Sequence, residues 1–267
     1  MPIAVRLLLA LSLVGVGVVA VEWTIALAAS GDVDTLVGLC TSALVAELWL
    51  LIVVGVCLLL GRRSPTERLG LAPGRLGARD VALLVLGTLA LSHALDGLLE
   101  LTGLAEQSVL SRIPEILAGA RGWRLALAIV ALGVAPGVAE ELLCRGLVQR
   151  GLTRRLGPTA GIGLAALVFG ALHLEPIHAA FASVLGVWLG LVAHWARSVR
   201  PAIVCHAANN LTAVGLAVGI GDLPLPAEAS LVGGTLVAAL CLMRVWGRMP
   251  RGSAALPLQP DPQSSDR

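Results

Sequence analysis

The sequence contains no lysine and little charge of any kind. Of its 267 residues 13% are charged and 57% hydrophobic, and the mean hydropathy is +0.89. A soluble domain is about half apolar and about a quarter charged, so the shortage of charge excludes an ordinary soluble fold. It points to a polytopic membrane protein whose apolar residues face lipid and one another. The five cysteines (Cys40, Cys57, Cys144, Cys205, Cys241) show no CxxC spacing, which leaves no basis for a disulfide framework or a thiolate metal site. Four read as small packing residues, and Cys144, one turn after Glu140, is placed to line the same cavity. The net charge of +2 gives no ground for a nucleic-acid partner, and none is expected. A convincing internal repeat is also missing. Transporters built on inverted repeats spread broken helices over both halves, whereas here the polar motifs crowd into 140–210.

What is present is a series of apolar runs. The first, 7–29, follows Arg6; Ala26-Leu27-Ala28 resembles a signal-peptidase site, but the length of the run and Glu22-Trp23 within it favour a retained helix. Further spans are expected at about 35–60, with Glu47 turned toward another helix, and at about 81–104, where His93 and Asp96 share a face as a structural polar contact. Residues 105–122 read as a short interfacial helix. Spans follow at about 123–149, kinked by Pro136, and at about 157–174, then a break at Glu175-Pro176. Three more are expected at about 177–196, with Gly186-x-x-x-Gly190 as a close-packing signal, at 201–220 and at 231–246. The polar tail from Gly247 reads as disordered. The expected fold is therefore all-α, an integral membrane bundle of about eight transmembrane helices. It divides into 1–80 (two N-terminal spans and an arginine-rich loop), 81–246 (the main helix bundle, which holds the polar motifs) and 247–267 (the tail).

Arginine placement sets an orientation. Short arginine-rich loops stay in the cytoplasm. With the N-terminus inside, the loops at 61–80, 150–156 and 197–200 and the tail fall there, and the acidic loops at 30–34, 175–176 and 221–230 fall outside. The 105–122 segment, with Arg112 and Arg121, is the one imperfect fit.

The chemistry gathers around Pro136–Arg150. Ionisable side chains at membrane depth are costly and mark function. On a helix Glu141 and Arg145 are four apart and can pair. Glu140 is rotated by about 100° from Glu141, so Arg145 does not neutralise both. Later spans add His173, with Phe169 four residues before it, and His206, with Asn210 four residues after it. Alone, a buried histidine is ordinarily a satisfied core group. Together these residues can activate water on a carboxylate, orient it with a histidine, and donate hydrogen bonds to an oxyanion. Glu140, His173 and His206 can alternatively hold a zinc ion with water at the open position. His178 reads as a loop or interface histidine, and His194 as an interfacial one beside Trp195.

Glu-Glu-x-x-x-Arg at 140–145, Phe-x-x-x-His at 169–173 and His-x-x-x-Asn at 206–210 resemble, in that order, the motifs of the CPBP family of intramembrane proteases. That family includes the type II CAAX prenyl endopeptidases and bacterial proteins linked to bacteriocin maturation or immunity. The resemblance covers roughly residues 80–220. It implies that Glu140, aided by His173, activates water, that His206 and Asn210 stabilise the oxyanion, and that Glu141, Arg145 and Phe169 support them. Metal dependence stays open between a glutamate protease and a zinc enzyme. The expected partners are the lipid bilayer and a peptide or lipid-anchored protein substrate. The lack of lysine beside abundant Ala, Gly, Leu and Arg suggests a high-GC bacterial source, hence an inner membrane, with both termini cytoplasmic. The rival reading is a non-proteolytic immunity or scaffold protein, or a transporter.

One geometric tension accompanies this reading. Counted along straight helices at 1.5 Å per residue, Glu140, His173 and His206 lie about 15, about 22 and about 8 Å from the cytoplasmic end. A working site needs them to converge.

Overall fold

The computed structural model describes residues 35–61, 63–219 and 225–248. The apolar run at 7–29, the loop at 30–34 and the tail beyond Arg248 lie outside the described residues, and with them the readings placed there. Among the described residues every regular element is helical and no strand occurs. A backbone in an apolar medium must satisfy its own hydrogen bonds, and long apolar runs do so as helices.

Helix α1 (Thr35–Leu59) buries Cys40, Glu47, Val53 and Val54 and turns Leu48, Leu51, Ile52 and Leu59 outward. A short helix, α2 (Pro65–Leu69), interrupts the arginine-rich loop. Ser64 caps its first turn, accepting from the Glu67 N–H at 3.3 Å, and Gly70 ends it at φ 69°, where a side chain would be strained. Helix α3 (Ala78–Thr102) follows, then two 3₁₀ turns and the one-turn helix α4 (Ile113–Leu117). Leu117 is fully buried in a cluster with Leu36, Cys40 and Val214, so the segment expected to lie over the bundle does so, mostly as turns.

The next stretch comprises α5 (Gly122–Ala128), the π-helical segment Ile129–Val134, α6 (Ala135–Glu141), a second π-helical segment Leu142–Gln149, and α7 (Arg150–Ala171). Proline lacks an N–H and crowds the preceding turn. The widened turn ending at Val134 accommodates Pro136, so the expected kink takes the form of a π turn. At Gly157 the backbone adopts φ 82°, ψ 170° just before Pro158. The chain reverses there, which brings Thr153 back against Gly161. Helices α8 (Pro176–Ala196), α9 (Arg200–Ala217) and α10 (Ala227–Trp246) complete the described fold. The acidic loop expected at 221–230 is thus shorter, because Pro226 leads directly into α10.

Among the described residues five helical stretches are long and apolar enough to cross a membrane: Thr35–Leu59, Ala78–Thr102, Gly122–Ala171, Pro176–Ala196 and Ala227–Trp246. The protein is an all-helical membrane protein. Polar contacts gather its loops at two ends. At one end Arg68 donates to the Cys57 and Leu58 carbonyls, Arg150 to the Glu67 carbonyl, Ser198 to the Ala72 carbonyl, and Arg248 pairs with Asp80 at 2.6 Å. At the other end Ser108 donates to Glu175 Oε2 at 3.2 Å.

Candidate functional site

Helix packing brings the motifs together. Helices α6 and α9 approach closely at Gly137, where an added Cβ would stand 2.9 Å from Ala207 N. That contact sits one turn before Glu140 and one residue after His206. Helices α7 and α8 meet at Gly170, whose missing side chain admits Ala179 and Ser183. The Gly186-x-x-x-Gly190 pattern is used in a specific way. Arg145 Nη2 donates to the Gly186 carbonyl and Gln149 Nε2 to the Gly190 carbonyl, each at 2.9 Å. Side chains at these glycines would stand against Ala166, Phe169, Ile162 and Gln149.

The centre is a buried chain of polar groups. Arg145 Nη1 donates to Glu141 Oε1 at 2.6 Å, and Glu141 is fully buried. The expected pairing of Glu141 with Arg145 is therefore formed. The guanidinium lies 4.2 Å from the centroid of the Phe169 ring, a stacking geometry that suits Arg better than Lys. His206 Nδ1 lies 3.0 Å from the same Glu141 oxygen. A carboxylate paired with arginine accepts, so the ring donates from Nδ1 and turns Nε2 away. Nε2 stands 4.0 Å from Glu140 Oε2. Phe169 supports both histidines edge-on, its centroid 5.1 Å from that of His173 and 5.6 Å from that of His206.

His173 follows α7 directly, and its Nδ1 lies 2.9 Å from the Phe169 carbonyl. A carbonyl can only accept, so Nδ1 carries the proton, and in the neutral ring Nε2 offers a lone pair. Asn210 is one turn beyond His206 on α9. The Asn209 amide donates to its Oδ1 at 3.4 Å, which keeps its Nδ2–H donors for another acceptor. Cys144 is fully buried in a cluster with Val53, Val54, Leu143 and Phe169, so it packs as the other cysteines were expected to instead of lining an open cavity.

The start of α9 accounts for the depth of His206. The Val199 N–H donates to the Gly70 carbonyl and the Arg75 N–H to the Ala196 carbonyl, and Ser198, Val199, Pro201 and Ala202 are buried. The 70–75 segment folds beneath the α8–α9 junction, so α9 begins inside the protein and His206 reaches Glu140.

Two residues belong to this neighbourhood that their sequence context did not assign to it. Glu47 is buried on α1, which packs against α6 and the π-helical segment Leu142–Gln149; its signal was an acidic residue inside a long apolar run. His178, expected as a loop or interface histidine, stands in the first turn of α8 with its ring centroid 4.2 Å from that of His173. Glu175 fixes that turn by accepting from the Ile177 and His178 N–H groups at 2.8 and 2.9 Å. Desolvation pushes the Glu175 carboxyl up, but these bonds and the one from Ser108 outweigh it and hold it below the usual carboxylate range.

The zinc alternative was tested on the donor set. Among the described residues no three His, Cys, Asp or Glu side chains gather as a metal-binding group. His206 gives Nδ1 to Glu141, which leaves Nε2, 4.0 Å from Glu140 Oε2, as its nitrogen for a further partner.

Residues 122–212 match the family model described as Type II CAAX prenyl endopeptidase Rce1-like. Among curated proteins and among solved structures no match to the chain is found. The matched segment, about a third of the chain, contains Glu140, Glu141, Arg145, Phe169, His173, His206 and Asn210 in order, and over it the chain is similar to the CPBP/CAAX protease family.

Proposed function

We propose that the chain is an intramembrane endopeptidase that hydrolyses a peptide bond of a membrane-associated or CAAX-like, lipid-anchored substrate, within a hydrated cavity of the bundle. The observation that carries this reading is the buried chain Arg145–Glu141–His206, which aims His206 Nε2 at Glu140. In this reading Glu140 is the base. It takes a proton from water while His173 Nε2 accepts the water's second hydrogen bond. The resulting hydroxide oxygen bonds to the scissile carbonyl carbon, and the carbonyl electron pair moves onto its oxygen. His206, from its Nε2 side, and Asn210 Nδ2–H donate to that oxyanion. When the C–N bond breaks, Glu140 passes its proton to the leaving nitrogen and returns to the carboxylate. General acid–base work of this kind contributes about 10²–10⁴-fold.

The substrate class follows the description of the matched family. In the same reading the membrane carries about eight spans. The reversal at Gly157 divides the Gly122–Ala171 stretch. The clustering of Arg68, Arg150 and Arg248 at one end supports a cytoplasmic face there, in a bacterial inner membrane. Residues 81–246 form the catalytic bundle, against which α1 of the 1–80 unit packs.

The test compares membrane and secreted peptides from cells carrying wild-type protein or Glu140→Gln at equal expression. Specific peptide termini are expected to vanish in the variant. Identical profiles with a retained cellular phenotype would replace the protease reading with the immunity or scaffold one.

A further inference from the structure

His178 stands against His173, yet hydrolysis as written gives it no part. The two rings lie 4.2 Å apart, centroid to centroid, at an interplanar angle of 68°. The turn between them is built to produce that contact. Helix α7 ends at Ala171, and Leu174 adopts φ 58°, a left-handed conformation that a leucine takes up only at a cost. Glu175 then caps α8 by accepting from the Ile177 and His178 N–H groups. Ser108, 67 residues away in sequence, donates to the same carboxyl at 3.2 Å. A strained backbone persists only where its surroundings hold it, and here a cap and a tie to a distant segment do so. What the strained turn achieves is the meeting of the two histidines.

His173 needs such a neighbour. Its ring is only half-buried, and its Nδ1 is held at one point, 2.9 Å from the Phe169 carbonyl. The χ2 torsion of a histidine is broad, so one hydrogen bond leaves the ring free to swing and to carry Nε2 off its target. Phe169 limits that swing from within the same helix, edge-on at 5.1 Å and 65°. His178 is nearer and comes from a separate helix, α8. We propose that His178 is a positioning residue for His173: its flat ring fixes the plane of the His173 imidazole and so the direction of Nε2. The proposal rests on His173 orienting the attacking water of the endopeptidase. His178 transfers no proton and touches neither water nor substrate; it acts only through the ring it packs against.

The substitutions separate a flat ring from bulk. His178→Leu keeps apolar volume without a ring, and His178→Phe keeps a ring without its nitrogens. His178→Ala, which cannot clash, checks the same loss where leucine upsets the packing. The substrate is a synthetic peptide spanning a junction whose terminus vanishes in Glu140→Gln cells, and kcat, KM and Tm are measured on each purified full-length protein. His178→Leu and His178→Ala are expected to lower kcat between about tenfold and about a hundredfold, the scale of a misplaced catalytic group. KM should not change, because the lost interaction matters only in the transition state. His178→Phe is expected to restore most of kcat. Glu175→Ala releases the cap from the turn, and its loss in kcat should not add to that of His178→Ala in the double variant, because both act through one ring. Full kcat in His178→Ala beside an inactive Glu140→Gln would overturn the role of His178 and leave the protease reading standing. So would a kcat in His178→Phe as low as in His178→Ala at the wild-type Tm, or additive losses in the double variant. Peptide termini unaffected by Glu140→Gln would remove the protease reading itself and the proposal built on it.

Discussion

Two regions of this protein bury polar side chains between helices, and they do so differently. In the α3–α10 interface, an added Cβ at Gly97 would stand 2.6 Å from the Ala227 carbonyl, and Gly234 meets Ala90 and Ala94. This close approach brings Ser230 to His93, Oγ to Nε2 at 3.1 Å. Asp96, expected to bond His93 on the same face, turns to the exposed side of α3 and interacts with it only electrostatically. In the α6–α9 region the polar groups also contact one another, but Glu140 and Glu141 each keep an oxygen without a partner, and His206 directs Nε2 toward one of them. The first region spends its polar groups on packing. The second holds some in place so that others stay available, which is what a site for an incoming water and a carbonyl requires.

The sharpest way to break this contrast is Glu140→Gln. It keeps the shape and removes the base, so peptide cleavage should fall by about a thousandfold with Tm unchanged, measured on purified protein. Next is Arg145→Met. It leaves the fully buried Glu141 without its cation, and removing one partner of a buried pair costs about 3–5 kcal/mol. Thermal unfolding in detergent should show a large fall in Tm, and activity should go with it because His206 loses its anchor. Gly137→Ala should come third. Its Cβ would press on the Ala207 backbone, at an overpacking cost of about 1–3 kcal/mol, and should separate His206 from Glu140, lowering cleavage more than Tm. The smallest effect is expected from His93→Ala in the other region. Loss of one partly buried hydrogen bond costs about 1 kcal/mol, and cleavage should not change. A drop in cleavage in that variant comparable to that of Gly137→Ala would erase the distinction between the two regions.

Much of this molecule was legible in one dimension. Periods of apolar sequence placed α1, α3, α8 and α10 within a few residues, because a helix of sufficient length is the stable solution for such a run. Pro136 marked the irregularity before Glu140, although its form as a π turn depended on what the neighbouring backbone could accommodate. Gly157-Pro158 marked the start of a new span. The pairing of Glu141 with Arg145 followed from their spacing, since both lie on the same helical stretch.

Contacts between helices were not legible in the same way. Straight-helix counting spread Glu140, His173 and His206 over different depths, because depth depends on where each helix starts. The start of α9 is set by the 70–75 segment folding beneath it. Glu47 was recognisable as an acid facing another helix, but which helix depends on α1 packing against α6 and the π-helical segment after it, far away in sequence. His178 met His173 only because Glu175 caps α8 at that turn.

By itself, then, the sequence determined the class, the spans and the roster of polar groups, since hydropathy and helical spacing are local properties of the chain. The tertiary structure alone decided which of those groups are satisfied and which remain open, because that depends on how closely helices distant in sequence approach, at Gly137, Gly170, Gly186 and Gly190.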